Sequence, residues 1–237
     1  MDKQILLILG MFFALNAQAE YMQVVGGPSS QQVVAGDAIG MPKKLELTCD
    51  NGSITIRGVD NNFSCKYSTQ VVSAQDTVSV KTSDDTLKVE FKKPKGSAFR
   101  SARADFELDL PKNCTVKIKL GNGSVTIRSI DGHIDISAGA GKVKAYDLNN
   151  DIACNIGSGR CALSFKDSSA NAPKKCKIKG GSLNAQVQLP AGFCVKNKLK
   201  GPLFTVKVNN AFDRCKKHPD VVISGGIGTG SLDIEKK

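Results

Sequence analysis

Two histidines, eight cysteines and two glycine-rich runs are the residues of this 237-residue chain whose types could do chemistry. His133 and His218 could each serve as a general base, a role that needs a nucleophile within hydrogen-bond reach. No G-x-S-x-G accompanies them, so both read as solvated surface. The run GAGKVKA (139–145) approaches a phosphate loop, G-x-x-x-x-G-K-[ST]. Ile136 stands where its first glycine belongs, and Val143 replaces the hydroxyl residue. The run GGIGTG (225–230) approaches a calcium-binding repeat, but Gly230 occupies the position of the ligand aspartate. A hard cation needs that oxygen. The adjacent pair Asp84-Asp85 lies beside a turn and reads as a hydrophilic loop. These readings leave no catalytic residue, no metal site and no cofactor, and the expectation is that the protein is not an enzyme.

The cysteines (Cys49, Cys65, Cys114, Cys154, Cys161, Cys176, Cys194 and Cys215) contain no C-x-x-C, and neither histidine neighbours a cysteine pair. Zinc sites favour such spacings. An even count in an exported chain favours disulfides instead, with buried thiols as the competing reading, and the spacing assigns no connectivity. Export is expected from the amino end. Lys3 precedes an apolar run, Ile5 to Leu15, and Ala17-Gln18-Ala19 is a small-x-small cleavage site. Residues 1–19 therefore read as a signal peptide. That run is too short for a bilayer, which takes about 20 apolar residues. No later stretch is apolar enough to span, so a periplasmic, cell-surface or extracellular location is expected.

Charge is the strongest remaining signal. Thirty-three Lys and Arg against 22 Asp and Glu leave a net +11. Lys142 and Arg160 are eighteen residues apart, Lys144 is near them, and Arg57 and Arg128 hold equivalent places in a repeated phrase. These five form a candidate basic ridge for an anionic polysaccharide or another envelope or host-surface component. The alternative is that outward strand positions are simply polar, with lysine discouraging edge pairing. Aromatic residues make up 5% of the chain. With so few to stack on bases, and in that compartment, nucleic acid is not an expected partner.

The elements that would position such a ridge are written in the apolar pattern. NGSITIR (51–57) returns as NGSVTIR (122–128). Apolar i, i+2 pairs fall at Val125/Ile127, Ile134/Ile136, Val143/Ala145, Ile152/Cys154 and Cys161/Leu163, each nine residues after the last. Residues i and i+2 of a strand share a face. Earlier, Leu45/Leu47, Ile54/Ile56, Phe63/Cys65 and Val72/Ala74 step by nine. After a slip come Val78/Val80 and Leu87/Val89. An antiparallel meander would also space turns this way, and Asn-Gly also suits a hairpin. The turns discriminate. GNGS (121–124), GAGK (139–142) and GSGR (157–160) recur every eighteen residues, alternating with SIDG (129–132) and DLNN (147–150). Alternating corners predict an all-β, parallel β-solenoid or β-roll with about 18 residues per coil and two short strands in each.

A second echo, LPKNCTVKIKL (110–120) and LPAGFCVKNKL (189–199), is expected to form irregular ribbons that close or cap a segment. KKPKGSAFRSAR (92–103) reads as a protruding loop or a junction between blocks. VVISGGIGTGSLDIEKK reads as the last coil. The expected organisation is a signal peptide (1–19), an N-terminal extension (20–44) and one β-solenoid region (45–237), divisible into blocks 45–91 and 104–237.

NGSVTIRSIDGHIDISAGAGKV, IGSGRCALSF and VQLPAGFCV together resemble the bacterial putative-adhesin domain family of β-solenoid type, over about residues 45 to 234. The resemblance implies a right-handed parallel β-helix-like fold at the cell envelope and supplies no catalytic residues. The cysteine count is unusual for that pattern. The expected function is a non-enzymatic, adhesin-like binding or structural module. A polysaccharide lyase or hydrolase on a parallel β-helix is the alternative.

Overall fold

The computed structural model of the chain describes residues 21–25, 30–35, 41–60, 64–70, 77–92, 103–167, 174–208 and 219–237. The expected signal peptide and most of the 92–103 run lie outside them. The described chain is all-β and contains fourteen strands: β1 (Tyr21–Val25), β2 (Ser30–Ala35), β3 (Lys44–Val59), β4 (Ser64–Gln70), β5 (Thr77–Ser83), β6 (Thr86–Lys92), β7 (Arg103–Pro111), β8 (Thr115–Arg128), β9 (Ile134–Leu148), β10 (Ile152–Phe165), β11 (Lys174–Leu189), β12 (Val195–Lys200), β13 (Leu203–Val208) and β14 (Val221–Lys236). All fourteen belong to one hydrogen-bonded sheet that is largely parallel.

The long strands are bent. In β9 Ile134, Ile136 and Ala138 are buried, then Val143 and Ala145, with Leu148 buried at the strand's irregular end; even numbers give way to odd ones across Gly139–Lys142. β10 repeats this, with Ile152, Cys154 and Ile156 followed by Cys161 and Leu163. A flat strand would keep its parity, because alternate residues point to opposite faces. The switch means that the chain has turned between a first and a second arm, so both arms address one core. Gly52, Gly123, Gly141 and Gly159 make the turn at positive φ, between 137° and 155°. They also stack closely: a Cβ on Gly141 would stand 1.9 Å from the Gly123 carbonyl oxygen.

The register follows the repeat. β8 pairs with β9 as Val116↔Ile134 and Val125↔Val143, and β9 with β10 as Ile134↔Ile152 and Val143↔Cys161. Each offset is eighteen residues. The two copies of the N-G-S phrase lie side by side, Asn51↔Asn122 through Arg57↔Arg128, in parallel and not in hairpins. Ser53 and Ser124 stay in contact there through their hydroxyls at 3.1 Å. Leu45, Ile54, Ile56, Val125, Ile127 and Ile136 are wholly buried, each contributing on the order of 1.5–3 kcal/mol.

Three expectations are corrected. First, the amino-terminal half is not a run of parallel nine-residue steps. Val78/Val80 and Leu87/Val89 sit on β5 and β6, an antiparallel hairpin turning at Asp84-Asp85, and β4 runs antiparallel to β7. Phe63, Val72 and Ala74 lie outside the described residues. Stretches expected as an extension supply β1 and β2, antiparallel to β5 and β4. Second, the two Leu-Pro segments are corners between successive arms: the first leads into β8 in the middle of the sheet and so caps nothing, while the second leads into β12 at the sheet's edge. Cys114 N donates to Pro111 O at 2.9 Å, and Phe193 N to Pro190 O at 3.4 Å. Third, the chain order is not the spatial order at either end. β3 lies between β8 and the pair β6 and β7. β14 lies between β11 and the pair β12 and β13, so the last strand in sequence is not the outermost.

Candidate ligand groove on the second arms

Side chains on the outer face of the second arms form ladders, because parallel pairing in register places equivalent positions about 4.8 Å apart. One ladder runs Lys142, Arg160, Asn184, Ser231. The next runs Lys144, Ala162, Gln186, Asp233. Between them lies a groove of about 340 Å³ crossing β9, β10, β11 and β14, with all eight of these residues in its lining. The methyl of Ala162 between the longer Lys144 and Gln186 accounts for the depression. That volume falls at the lower end of small-ligand sites.

Three of the five residues of the expected basic ridge meet here. Lys142 and Arg160 are exposed and Lys144 is half-buried. None of the three makes an ion pair with the described residues. Other cations along the stack are engaged, among them Lys43 with Asp85 at 2.7 Å, Lys112 with Asp60 at 2.9 Å and Lys166 with Asp131 at 2.6 Å. Arg57 and Arg128 are neighbours in register but leave the ridge. Arg57 forks onto Asp109 through Nε at 2.8 Å and Nη2 at 3.3 Å. Arg128 lies over the Tyr146 ring, 4.9 Å from its centroid.

The polar end of the groove was not found from sequence. Asn184 accepts from Ser231 Oγ at 3.3 Å, and Gln186 donates to Glu235 at 2.8 Å. Asp233 Oδ1 is buried and has no hydrogen-bond partner. The signal that could have found them is the alternation in L-N-A-Q-V (183–187) and S-L-D-I (231–234), whose outward members are these residues.

The cysteines divide. Cys49, Cys114, Cys154, Cys161 and Cys176 are buried free thiols, in place of the expected disulfides. The reason is positional. Cys154 stands in register with Ile136, Cys161 with Val143 and Cys176 with Ile152, so each fills a core slot as a small hydrophobe. Burial pushes the Cys49 thiol up to about 12 and Cys114 to about 11. Cys154 shares a hydrogen bond with Cys161, which with burial raises it further; burial raises Cys176 too. Cys194 is disulfide-bonded. The Cys65 side chain and Cys215 lie outside the described residues.

His133 is exposed in a corner, and His218 lies outside the described residues. Among the described residues no group of His, Cys, Asp and Glu is placed to hold a metal ion, and no helix is long and apolar enough to cross a membrane. A second charged cluster lies at the corner opposite the glycine bends. Lys174 is 5% exposed, with Nζ 5.5 Å from the Phe193 ring centroid, and burial lowers its affinity for a proton.

An all-β protein with a largely parallel sheet and a charged groove across its arms is the class that these features define. No protein-family model matches the chain, and no curated protein does. Solved structures do. A putative cell adhesion protein from Clostridium sporogenes is 19% identical with a TM-score of 0.56, over 88% of this chain and 100% of that one. A putative adhesin from Bacteroides fragilis is 14% identical with a TM-score of 0.47, over 89% of this chain and 98% of that one. The first likeness shows a shared fold.

Proposed function

We propose that the protein is an exported, non-enzymatic adhesin-like module, built as a two-armed β-solenoid, that binds an anionic glycan of an envelope or host surface in the groove on its second arms. The observation that carries this reading is the convergence of three cations without ion pairs, Lys142, Lys144 and Arg160, from adjacent coils onto the lining of one groove. Like charges stacked across a sheet repel by some tenths of a kcal/mol per pair. A bound polyanion removes that repulsion. The protein described as a cell adhesion protein and sharing this fold supports the reading by analogy.

The test is size-exclusion chromatography of the protein with a panel of acidic polysaccharides at 20 mM and 500 mM salt, reading both co-elution and polymer length. Co-elution is expected at low salt and loss at high salt, since the Debye length shrinks several-fold across that range. The double variant Lys142→Glu, Arg160→Glu is expected to abolish co-elution. Shortened polymer would make the protein an enzyme, and unchanged co-elution of the variant would remove the groove from the account.

A further inference from the structure

The groove is polarised. Its β9 and β10 end carries Lys142, Lys144 and Arg160; its middle carries Asn184 and Gln186; its β14 end carries Asp233. Three strand spacings separate the two ends, about 14 Å. A simple polyanion would fit the first end and meet Asp233 at the last, where Lys207 of β13 stands beside it in register. Asp233 also has a local problem: its Oδ1 is buried without a donor. A buried acceptor left unmatched costs on the order of 1–3 kcal/mol. Gln186, its neighbour in register on β11, donates from Nε2 to Glu235 at 2.8 Å and makes no hydrogen bond to this oxygen. Ser231 Oγ donates instead to Asn184 Oδ1.

We propose that the groove selects a glycan carrying an acidic group and, about three coils along, a free amino group. The acid lies against Lys142, Lys144 and Arg160, and the ammonium donates to Asp233. The side-chain amides of Asn184 and Gln186 face the sugar hydroxyls between. This rests on the glycan-binding reading and narrows it from polyanions in general to glycans with both charges. No covalent step is involved. The recognition is two opposite charges at a fixed separation, which a uniform polyuronate cannot satisfy.

Hyaluronan and its de-N-acetylated form make the test, titrated calorimetrically into the wild type, Asp233→Asn and Lys144→Ala. Both polymers carry the same carboxylates, and only the second carries free amines. The wild type is expected to bind the de-N-acetylated polymer about tenfold more tightly, the scale of one charge-assisted hydrogen bond. Asp233→Asn keeps the side chain's size. It is expected to erase that preference. Lys144→Ala is expected to weaken both polymers and keep the preference. Equal wild-type affinity for the two polymers, or a preference that survives Asp233→Asn, overturns the inference and leaves the glycan-binding reading intact. Binding of neither polymer counts against the reading itself, and the inference falls with it.

Discussion

At the residue scale the bend glycines and the outward side chains do different jobs. Gly141 needs both a positive φ and the absence of a Cβ, since that atom would overlap the Gly123 carbonyl. Gly192, at φ 80°, meets nothing within 4 Å and needs only the conformation. Gly141→Ala is therefore expected to cost about 2–3 kcal/mol, from strain plus displaced backbone. Gly192→Ala is expected to cost about 1 kcal/mol, the price of a left-handed non-glycine residue. Urea denaturation of the two variants gives the comparison, and equal losses would refute the close-stacking account. Asn51-Gly52 and Asn122-Gly123 were legible in the sequence for this reason: a bend repeated in register repeats its glycine. Lys142 and Arg160 were legible through their spacing. The fate of Arg57 was not, because its partner Asp109 lies 52 residues away on a strand that no periodicity connects to it.

At the element scale the readable part of the fold is β8 to β10, where the offset stays at eighteen residues and the apolar pairs step by nine. After β10 the offsets become 24 and then 47, so Asn184 and Asp233 reach the groove without any shared period. A sequence echo would mislead here. G-S-L occurs at 181–183 and 230–232, yet Leu232 stands opposite Ala185, not Leu183. The inserted position of β14 has an energetic consequence. Among the described strands, β12 and β13 pair only with β14. Removing β14 by ending the chain after Asp220 should therefore release β12 and β13 together and expose the β11 edge. The outward half of β12 carries Lys196, Lys198 and Lys200, the kind of residues that keep an edge from pairing, and β11 has no such protection along Leu183–Leu189. The truncated chain is expected to aggregate, and limited proteolysis should cut between Leu189 and Val208 while sparing β8 to β10. Intact protection of that stretch would show that β12 and β13 hold on through other contacts.

At the scale of the whole sheet, one hydrophobic core of described residues runs from β3 to β14, and its buried thiols make folding sensitive to alkali. An unfolded cysteine ionises near pH 8.5–9. Cys49 and Cys114 are held up to about 12 and about 11 by burial, and Cys154 and Cys176 are raised as well. Above pH 9 the unfolded chain therefore releases protons that the folded one keeps. Fewer protons on the unfolded state means that stability falls as pH rises, by up to roughly 1.4 kcal/mol per pH unit for each such thiol. Lys174 works the other way. Burial lowers its affinity for a proton, so between its folded value and 10.5 the unfolded chain holds the extra proton and stability rises. One lysine stands against four thiols, and the thiols dominate. Urea denaturation under reducing conditions at pH 8.0, 9.5 and 10.5 should show stability dropping by at least about 2 kcal/mol across the upper interval. The slope should shrink by on the order of 1 kcal/mol per pH unit in Cys49→Ala, whatever that variant's starting stability. A flat or rising profile would mean that these thiols ionise as readily in the folded chain as in the unfolded one, which a dry core shared by both arms does not allow.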